Sequence, residues 1–257
     1  MISIITITYN DCEGLKRTLS SIPDYDFIES VVINGGNDKE TLEYLKSAKG
    51  KVISEKDEGI ADAFNKGIKN SSGNAIMFLN SGDDLIDTDF LKDAEEILKK
   101  NKKIDFIHSN LLLVDSTGLE LFMKPPFCNL GRGLPYLHPT MIVRKSVFEQ
   151  IGFFNKDYKI AMDFDFVVRL VKNNYKGFYI SDKYVVKMEG TGRSIKQEFA
   201  AIQECYKSLK QNNYLNLKKS FGLIIRIILY FMRNVLVTFG LESILRRFKM
   251  KKHSKSI

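Results

Sequence analysis

The stretch Ile2-Ser3-Ile4-Ile5-Thr6-Ile7-Thr8-Tyr9-Asn10-Asp11-Cys12-Glu13-Gly14-Leu15 decides the fold. Its first part is apolar and β-branched, which predicts a buried strand. Asn10-Asp11 supplies short polar side chains to cap a helix. Leu15, Leu19 and Ile22 give that helix one apolar stripe, and Pro23 stops it. Working outward, the alternation repeats. A strand at residues 30–33 ends at Asn34-Gly35-Gly36, and a helix follows at 39–47. A strand at 51–54 leads into a helix at 59–70 with Ile60, Ala63, Phe64, Gly67 and Ile68 inward. A strand at 74–79 stops at Asn80-Ser81-Gly82-Asp83-Asp84, and Phe90, Leu91, Ala94, Ile97 and Leu98 mark the next helix. The expected fold is α/β, a mostly parallel, Rossmann-like sheet with helices on both faces. In such sheets ligands bind beyond the carboxyl ends of the strands, where the polar segments fall.

The second half is less regular. Residues 105–114 and 119–123 read as a hairpin around Asp115-Ser116-Thr117-Gly118. A loop rich in Pro and Gly precedes a strand near 140–143, then a helix at about 163–174 and a strand at 177–180. A basic, amphipathic helical tail occupies 216–257.

The chain has 257 residues, 44% hydrophobic and 27% charged, which excludes a disordered protein and suits one α/β domain with an appendage. Met1 runs directly into a buried-strand sequence, so no signal peptide is expected. Cys12, Cys128 and Cys205 are scattered, which predicts a reducing compartment and neither a disulfide framework nor a zinc site. The net charge of +8 is concentrated: twelve Lys or Arg and one acid, Glu242, lie from Lys207 onward, leaving the body at −3. A nucleic-acid partner is not expected of an acidic body, whereas a basic tail points to an anionic membrane surface.

Four groups of residues carry possible chemistry. Asp83-Asp84 is an acidic turn straight after a strand, suited to a hard divalent cation completed by phosphate oxygens, or to a solvated turn. Asp163-Phe164-Asp165 opens an apolar helix, where one carboxylate serves as a cap and the other is free to act as a general base. His138-Pro139-Thr140 precedes a strand, and a single histidine is more often structural. Glu189-Gly190-Thr191-Gly192-Arg193 is either an ordinary turn or a lid over a phosphate.

In this order and spacing the segments resemble the family 2 glycosyltransferases, inverting enzymes of the GT-A fold. The matching pieces are 3–10, Val32-Ile33-Asn34-Gly35-Gly36-Asn37-Asp38, residues 55–67, Phe78-Leu79-Asn80-Ser81-Gly82-Asp83-Asp84, His138-Pro139-Thr140 and Asp163-Phe164-Asp165. The resemblance covers roughly the first 195 residues. It implies a catalytic domain over 1–215, with nucleotide-sugar binding in about 1–115 and the acceptor side in about 116–215. It implies that Thr8, Tyr9 and Asn10 line the base and ribose, and that Asp57 and the helix start with Gly59, Asp62 and Asn65 contact the nucleotide-sugar. Asp83 would bind Mn²⁺ or Mg²⁺ bridging the diphosphate, with Asp84, His138 and Arg193 beside the substrate. Asp163 would deprotonate the acceptor hydroxyl. Two departures stand out. Asn34 replaces the usual Asp that meets the base, and Asn80-Ser81-Gly82-Asp83 replaces the usual acidic triplet, leaving Asp83, with Asp84 at most, to hold metal.

In the tail, the apolar run 223–241 is interrupted by Arg226 and Arg233, seven apart and so on one helical face. The expectation is a helix lying in the membrane interface, arginines toward headgroups, with Arg246, Arg247, Lys249, Lys251 and Lys252 adding attraction, and the alternative is a helix packed on the body or in a dimer with a solvated basic end. That makes a lipid-linked glycan a plausible acceptor and the cytoplasmic face of the cell membrane the expected location. The alternatives are a sugar nucleotidyltransferase, disfavoured because the first loop has one glycine and two acids, and a non-catalytic nucleotide-sugar-binding module, which Asn34 and Asn80 allow but Asp83 and Asp163 argue against.

Overall fold

The computed structural model describes residues 1–115, 117–126, 128–190 and 197–241. Ser116, Arg193 and the basic residues Arg246, Arg247, Lys249, Lys251 and Lys252 lie outside them. The first half alternates as its sequence dictates: β1 (Ile2–Thr8), α1 (Cys12–Ser21), β2 (Ile28–Asn34), α2 (Lys39–Leu45), β3 (Lys51–Ser54), α3 (Ile60–Asn70) and β4 (Ala75–Phe78). There follow β5 (Asp84–Leu85), α4 (Asp89–Lys100), β6 (Phe106–Val114), β7 (Glu120–Met123), a 3₁₀ turn His138–Thr140, β8 (Ile142–Arg144), α5 (Lys145–Ile151), α6 (Met162–Lys172), β9 (Gly177–Glu189), α7 (Glu198–Gln211) and α8 (Leu217–Thr238).

One sheet runs β3-β2-β1-β4-β8-β6-β9-β5, with β7 paired to β6. The β3-β2-β1-β4 half is parallel. The other half is mixed: β8 is antiparallel to β4 and β6, β9 is parallel to β6, and β5 and β7 are antiparallel edges. Alternation along the strands sends Ile5, Val31, Ile33, Ile76 and Phe78 to one face, packed with α3 and α6 through Phe64, Ile68, Phe166 and Val167. Ile2, Ile4, Ala75 and Met77 face the other way, against Phe90, Leu91 and Ala94 of α4. Leu15 of α1 and Leu45 of α2 cover Val32.

Three elements differ from the sequence reading. The strand expected at 177–180 continues to Glu189. Its polar interruption at Ser181-Asp182-Lys183 is absorbed by a register shift between His108 and Asn110 on β6. There Ser109 Oγ donates to the Ile180 and Lys183 carbonyls (2.7 and 2.8 Å) and Asn110 Nδ2 to those of Ser181 and Lys183 (2.9 and 2.8 Å). Helices α5 and α7 were not anticipated, because short or polar-rich stretches carry little periodicity.

The tail helix corrects an expectation about its faces. Leu223 is buried in the core, and Ile227 and Tyr230 pack on it. A Cβ on Gly222 would sit 2.7 Å from the Gly131 carbonyl carbon, so the helix lies directly on that loop. Arg226 places Nη1 in the buried side, and Arg233 pairs with Glu198 of α7 and lies over the Tyr230 ring. The arginines therefore face the protein and not headgroups, and for Arg233 an acidic and an aromatic partner account for it. Leu217, Phe221, Ile224, Ile228, Met232, Val235 and Phe239 are left exposed.

Candidate active site

The loops after β1, β2 and β3 are knitted into one surface at the carboxyl ends of the strands. Gly35 N–H donates to the Thr8 carbonyl (3.1 Å), and Glu55 N–H to that of Asn34 (3.0 Å). Asn10 adopts a left-handed φ of 53°. From there its Oδ1 accepts the Asn37 and Asp38 N–H groups (2.9 and 3.2 Å). Gly35 and Gly36 permit this closeness: a Cβ on Gly35 would lie 1.7 Å from Asp57 Oδ2, and one on Gly36 2.3 Å from Asn10 Oδ1. Tyr9 leaves its ring 69% exposed beside this surface.

Asn34 is fully buried. Its Nδ2 donates to the Gly36 carbonyl and Ser54 Oγ (3.1 and 2.9 Å), while its Oδ1 accepts Gly36 N–H (3.0 Å). Both amide hydrogens are thus engaged within the protein, where a carboxylate at this position would have none to give.

Asp57 Oδ1 accepts Gly59 N–H (2.9 Å). Gly59, at φ 119°, would have its Cβ in open space, and no side chain caps the N-terminus of α3 that it begins. The first turn of α3 thus has no side-chain cap among the described residues, while the Gly59 N–H itself is held by Asp57. Asp62 and Asn65 turn to other tasks. Burial opposes ionisation of Asp62, but the Glu58 N–H, Lys156 and Lys66 outweigh it and hold its carboxyl below the usual range. Asn65 exchanges two hydrogen bonds with the Phe154 backbone (2.8 and 2.9 Å), fastening α3 to the segment ahead of α6.

Thr18 and Arg17 of α1 hold the acidic turn. Thr18 Oγ1 donates to the Asp83 carbonyl (2.8 Å) and accepts Gly82 N–H (3.0 Å). Ser81 Oγ donates to Asp11 Oδ2 (2.7 Å), whose other oxygen caps α1 by accepting Gly14 N–H. Arg17 donates from Nε to Asp84 Oδ1 (3.0 Å) and from Nη2 to Glu189 Oε1 (2.9 Å) and the Gly82 carbonyl. Asp83 itself is 7% exposed. Burial, with Asp84 and Glu189 nearby, pushes its carboxyl up to about 7. Three residues ahead of it in the same turn, Asn80 Oδ1 is buried with no hydrogen-bond partner among the described residues. A desolvated carboxyl and an orphaned carbonyl oxygen are both donors of the kind that a hard divalent cation takes.

The two acids of the Asp163-Phe164-Asp165 segment separate cleanly. Asp165 is buried and fully used: Arg169 Nε, Ser208 Oγ and Asn212 Nδ2 donate to it at 3.0, 2.8 and 3.0 Å. Asp163 stands in the first turn of α6, partly exposed, with Phe164 N–H on its Oδ1 (2.7 Å). The cap of this helix comes from elsewhere. Glu204 of α7 accepts the Lys159, Ile160 and Ala161 N–H groups at 2.9, 2.9 and 2.7 Å. His138 lies among the Phe64, Phe78 and Phe154 rings. Burial lowers its pKa, against an upward pull from Asp163, so a neutral imidazole faces that carboxylate.

Sequence reasoning missed Arg17, Thr18 and Glu204. Thr18 had a signal: it occupies the i+3 position on the Leu15–Leu19–Ile22 stripe, where a polar residue must have a partner. A cavity of about 360 Å³ lies beside the turn, lined by Arg17, Gly82, Asp84, Lys187 and Glu189 among others. A larger one of about 470 Å³ touches Ile28 and Ser30, at the other end of β2 from Asn34, and no candidate residue lines it. Among the described residues, Cys12, Glu13 and Glu40 form a compact group in which Lys16 bridges Glu13 and Glu40 at 2.8 and 3.2 Å, so an ammonium already stands between the two carboxylates.

Comparison with known proteins adds independent findings. Residues 3–152 match the sequence model described as Glycosyl transferase family 2. A glycosyltransferase of Mycobacterium tuberculosis without an assigned role is 31% identical over 179 residues, covering 65% of this chain and 68% of its own. A PGL/p-HBAD biosynthesis glycosyltransferase of Mycobacterium bovis is 27% identical, covering 67% of this chain and 70% of its own. In structure, TarS residues 1–349 of S. aureus in complex with UDP-GlcNAc superposes with TM-score 0.66 at 20% identity, over 82% of this chain and 64% of that one. The mannosyltransferase PcManGT of Pyrobaculum calidifontis in complex with GDP-Man and Mn²⁺ gives 0.64 at 14%, over 99% and 83%.

Proposed function

The chain belongs to glycosyl transferase family 2, and from that premise we propose that it transfers a hexose from a nucleoside-diphosphate sugar to an acceptor hydroxyl, inverting the anomeric carbon. The observation that carries the mechanism is the division of labour in α6. Asp165 is consumed by packing, while among the described residues Asp163 accepts one hydrogen bond, on Oδ1 from Phe164 N–H, and lies beside a neutral His138.

In this reading the nucleotide lies over the Thr8–Asn10 and Gly35–Gly36 turns, with Asn34 stiffening them from beneath and Tyr9 flanking the base. The sugar diphosphate approaches Asp57, Gly59 and the α3 N-terminus. Asp62 and Asn65 support that helix start. Asp83, with Asn80 Oδ1, would hold Mn²⁺ or Mg²⁺, which when bound offsets charge on the departing diphosphate. Asp163 accepts the proton of the acceptor hydroxyl as that oxygen bonds to the anomeric carbon. The bond to the diphosphate oxygen breaks, and its electron pair leaves with the diphosphate. Complexes of structural neighbours with UDP-GlcNAc and with GDP-Man and Mn²⁺ support the donor class and the metal.

The same proposal covers the tail. Helix α8 has 22 residues and a mean hydropathy of 1.7 in its best window, with 11% of that window buried. At ~1.5 Å per residue it is long enough to lie in or cross a bilayer. Its exposed apolar stripe suits the inner face of the cell membrane, and a lipid-linked glycan in surface polysaccharide assembly is the acceptor that such a location favours. The family match sets aside the nucleotidyltransferase alternative. Nucleoside-diphosphate release from a panel of nucleotide-sugars with Mn²⁺ tests the activity. If no member of the panel turns over but some bind, the chain is a binding module.

A further inference from the structure

Arg17 is the cation already present at the acidic turn. One guanidinium reaches Asp84 at the start of β5, Glu189 at the end of β9 and the Gly82 carbonyl between them. The lysine opposite Asp84 in the β5–β9 register, Lys187, pairs instead toward Glu120 at 4.0 Å. Arg17 is therefore the cation that pairs with both Asp84 and Glu189, one positive charge set against two carboxylates. Gly82 takes a φ of 94°, a backbone conformation that favours glycine, and a Cβ there would meet Arg17 Nη2 only at the ordinary contact distance of 3.8 Å.

We propose that Arg17 is a resident counter-cation that withholds Asp84 and Glu189 from a metal, so that a divalent ion is recruited only together with a nucleoside diphosphate. The inference rests on the metal reading of Asp83 proposed above. Its physical basis is charge. Without ligand, a divalent cation meets one available carboxyl, Asp83, and the positive Arg17, which is near enough to act electrostatically on that carboxyl. The diphosphate brings negative charge that offsets the repulsion between the two cations and supplies the missing oxygen ligands. The pairs that Arg17 makes are half-exposed, with side-chain exposures of 47% for Arg17, 20% for Asp84 and 55% for Glu189. Such pairs are individually weak, so the arrangement is reversible. Arg17 acts here as a positioning residue and not as a catalytic one.

The test measures Mn²⁺ binding by electron paramagnetic resonance, for Mn²⁺ alone and with UDP or GDP. Arg17→Gln should bind Mn²⁺ alone about tenfold more tightly than the native protein, because one opposing unit charge is gone. Arg17→Lys, which keeps the charge, should stay near native. The gain should vanish in Arg17→Gln/Asp84→Asn/Glu189→Gln, since the two released carboxylates are its source. If Arg17→Gln binds Mn²⁺ alone no better than native, while native still binds it with nucleotide, Arg17 merely shapes the turn and the inference is overturned. A gain that survives in the triple variant overturns it as well. If native protein takes no Mn²⁺ even with either nucleotide, the metal reading itself fails and this inference falls with it.

Discussion

Glu204 caps the helix that carries Asp163: its Oε2 accepts Ala161 N–H at 2.7 Å, two residues ahead of the proposed base. The same carboxylate also takes the N–H groups of Lys159 and Ile160. A negative group at a helix N-terminus stabilises it, and hydrogen bonds to a charged acceptor contribute about 1.5–3 kcal/mol apiece without being additive. Glu204→Ala should therefore destabilise the protein by about 3 kcal/mol. The turnover number should fall while the KM for donor stays near native, because α6 moves and the nucleotide surface does not. Thermal denaturation and steady-state kinetics check this. An unchanged melting temperature would show that water replaces the cap without loss.

Asp163 and Asp165 should respond oppositely to the same substitution. Asp163→Asn removes a proton acceptor that packs against little, so turnover should drop about 10²–10⁴-fold with stability and nucleotide binding kept. Asp165→Asn leaves Arg169 without its buried counter-charge. Breaking such a pair costs about 3–5 kcal/mol. Melting should suffer far more than activity per folded molecule. The reverse pattern would transfer the catalytic role to Asp165.

Much of this was legible in the sequence, for reasons that also mark where it stops. Strand β1 is β-branched apart from Ser3, β4 is an apolar run, and α3 carries an apolar stripe from Ile60 to Ile68, so pattern alone places them. The carboxylates after β3 and β4 stood out because polar residues follow directly on buried strands. Strand β9 was cut short because Ser181-Asp182-Lys183 looks like a loop, and only the buried Ser109 and Asn110 of β6 make it tolerable within a sheet. The roles of Glu204 and Arg17 depend on partners 43 and 67 residues away, and no local pattern encodes those. The orientation of α8 was misjudged for a similar reason. An arginine stripe says that one face is charged, but Glu198 and the Gly131 loop decide which way it points.

Asp83 should make the metal-free protein less stable as pH rises. Its folded pKa of about 7 lies above the ordinary 3.8, so the folded state holds a proton that the unfolded chain releases. The favourable contribution is complete below about pH 4 and is lost progressively up to about pH 7. Asp83→Asn removes the titration. In the absence of divalent metal it should be more stable than native at pH 8, by about 2–4 kcal/mol, with the advantage shrinking toward pH 5. The same variant should lose metal-stimulated transfer. Chemical denaturation at the two pH values, with chelator present, makes the comparison, and a pH-independent difference would rule this account out.

The exposed stripe on α8 should govern membrane binding without governing the fold. Ile224 and Ile228 are about half exposed and lie one turn apart. Burying such side chains in a bilayer is favourable by about 1.5–3 kcal/mol each, and a charge in their place reverses the sign. Ile224→Glu/Ile228→Glu should therefore abolish co-sedimentation with anionic vesicles while leaving the melting temperature and transfer to a soluble acceptor close to native. Gly222→Val acts on the opposite face. Its side chain would enter the space held by the Gly131 backbone, where even a Cβ lies at 2.7 Å. That variant should lift α8 from the body and lower stability, yet still bind vesicles, since the apolar stripe is intact. If instead the double glutamate variant sediments as native and only a change in oligomeric state follows, the stripe meets a second protein surface and the basic residues alone attract the lipid.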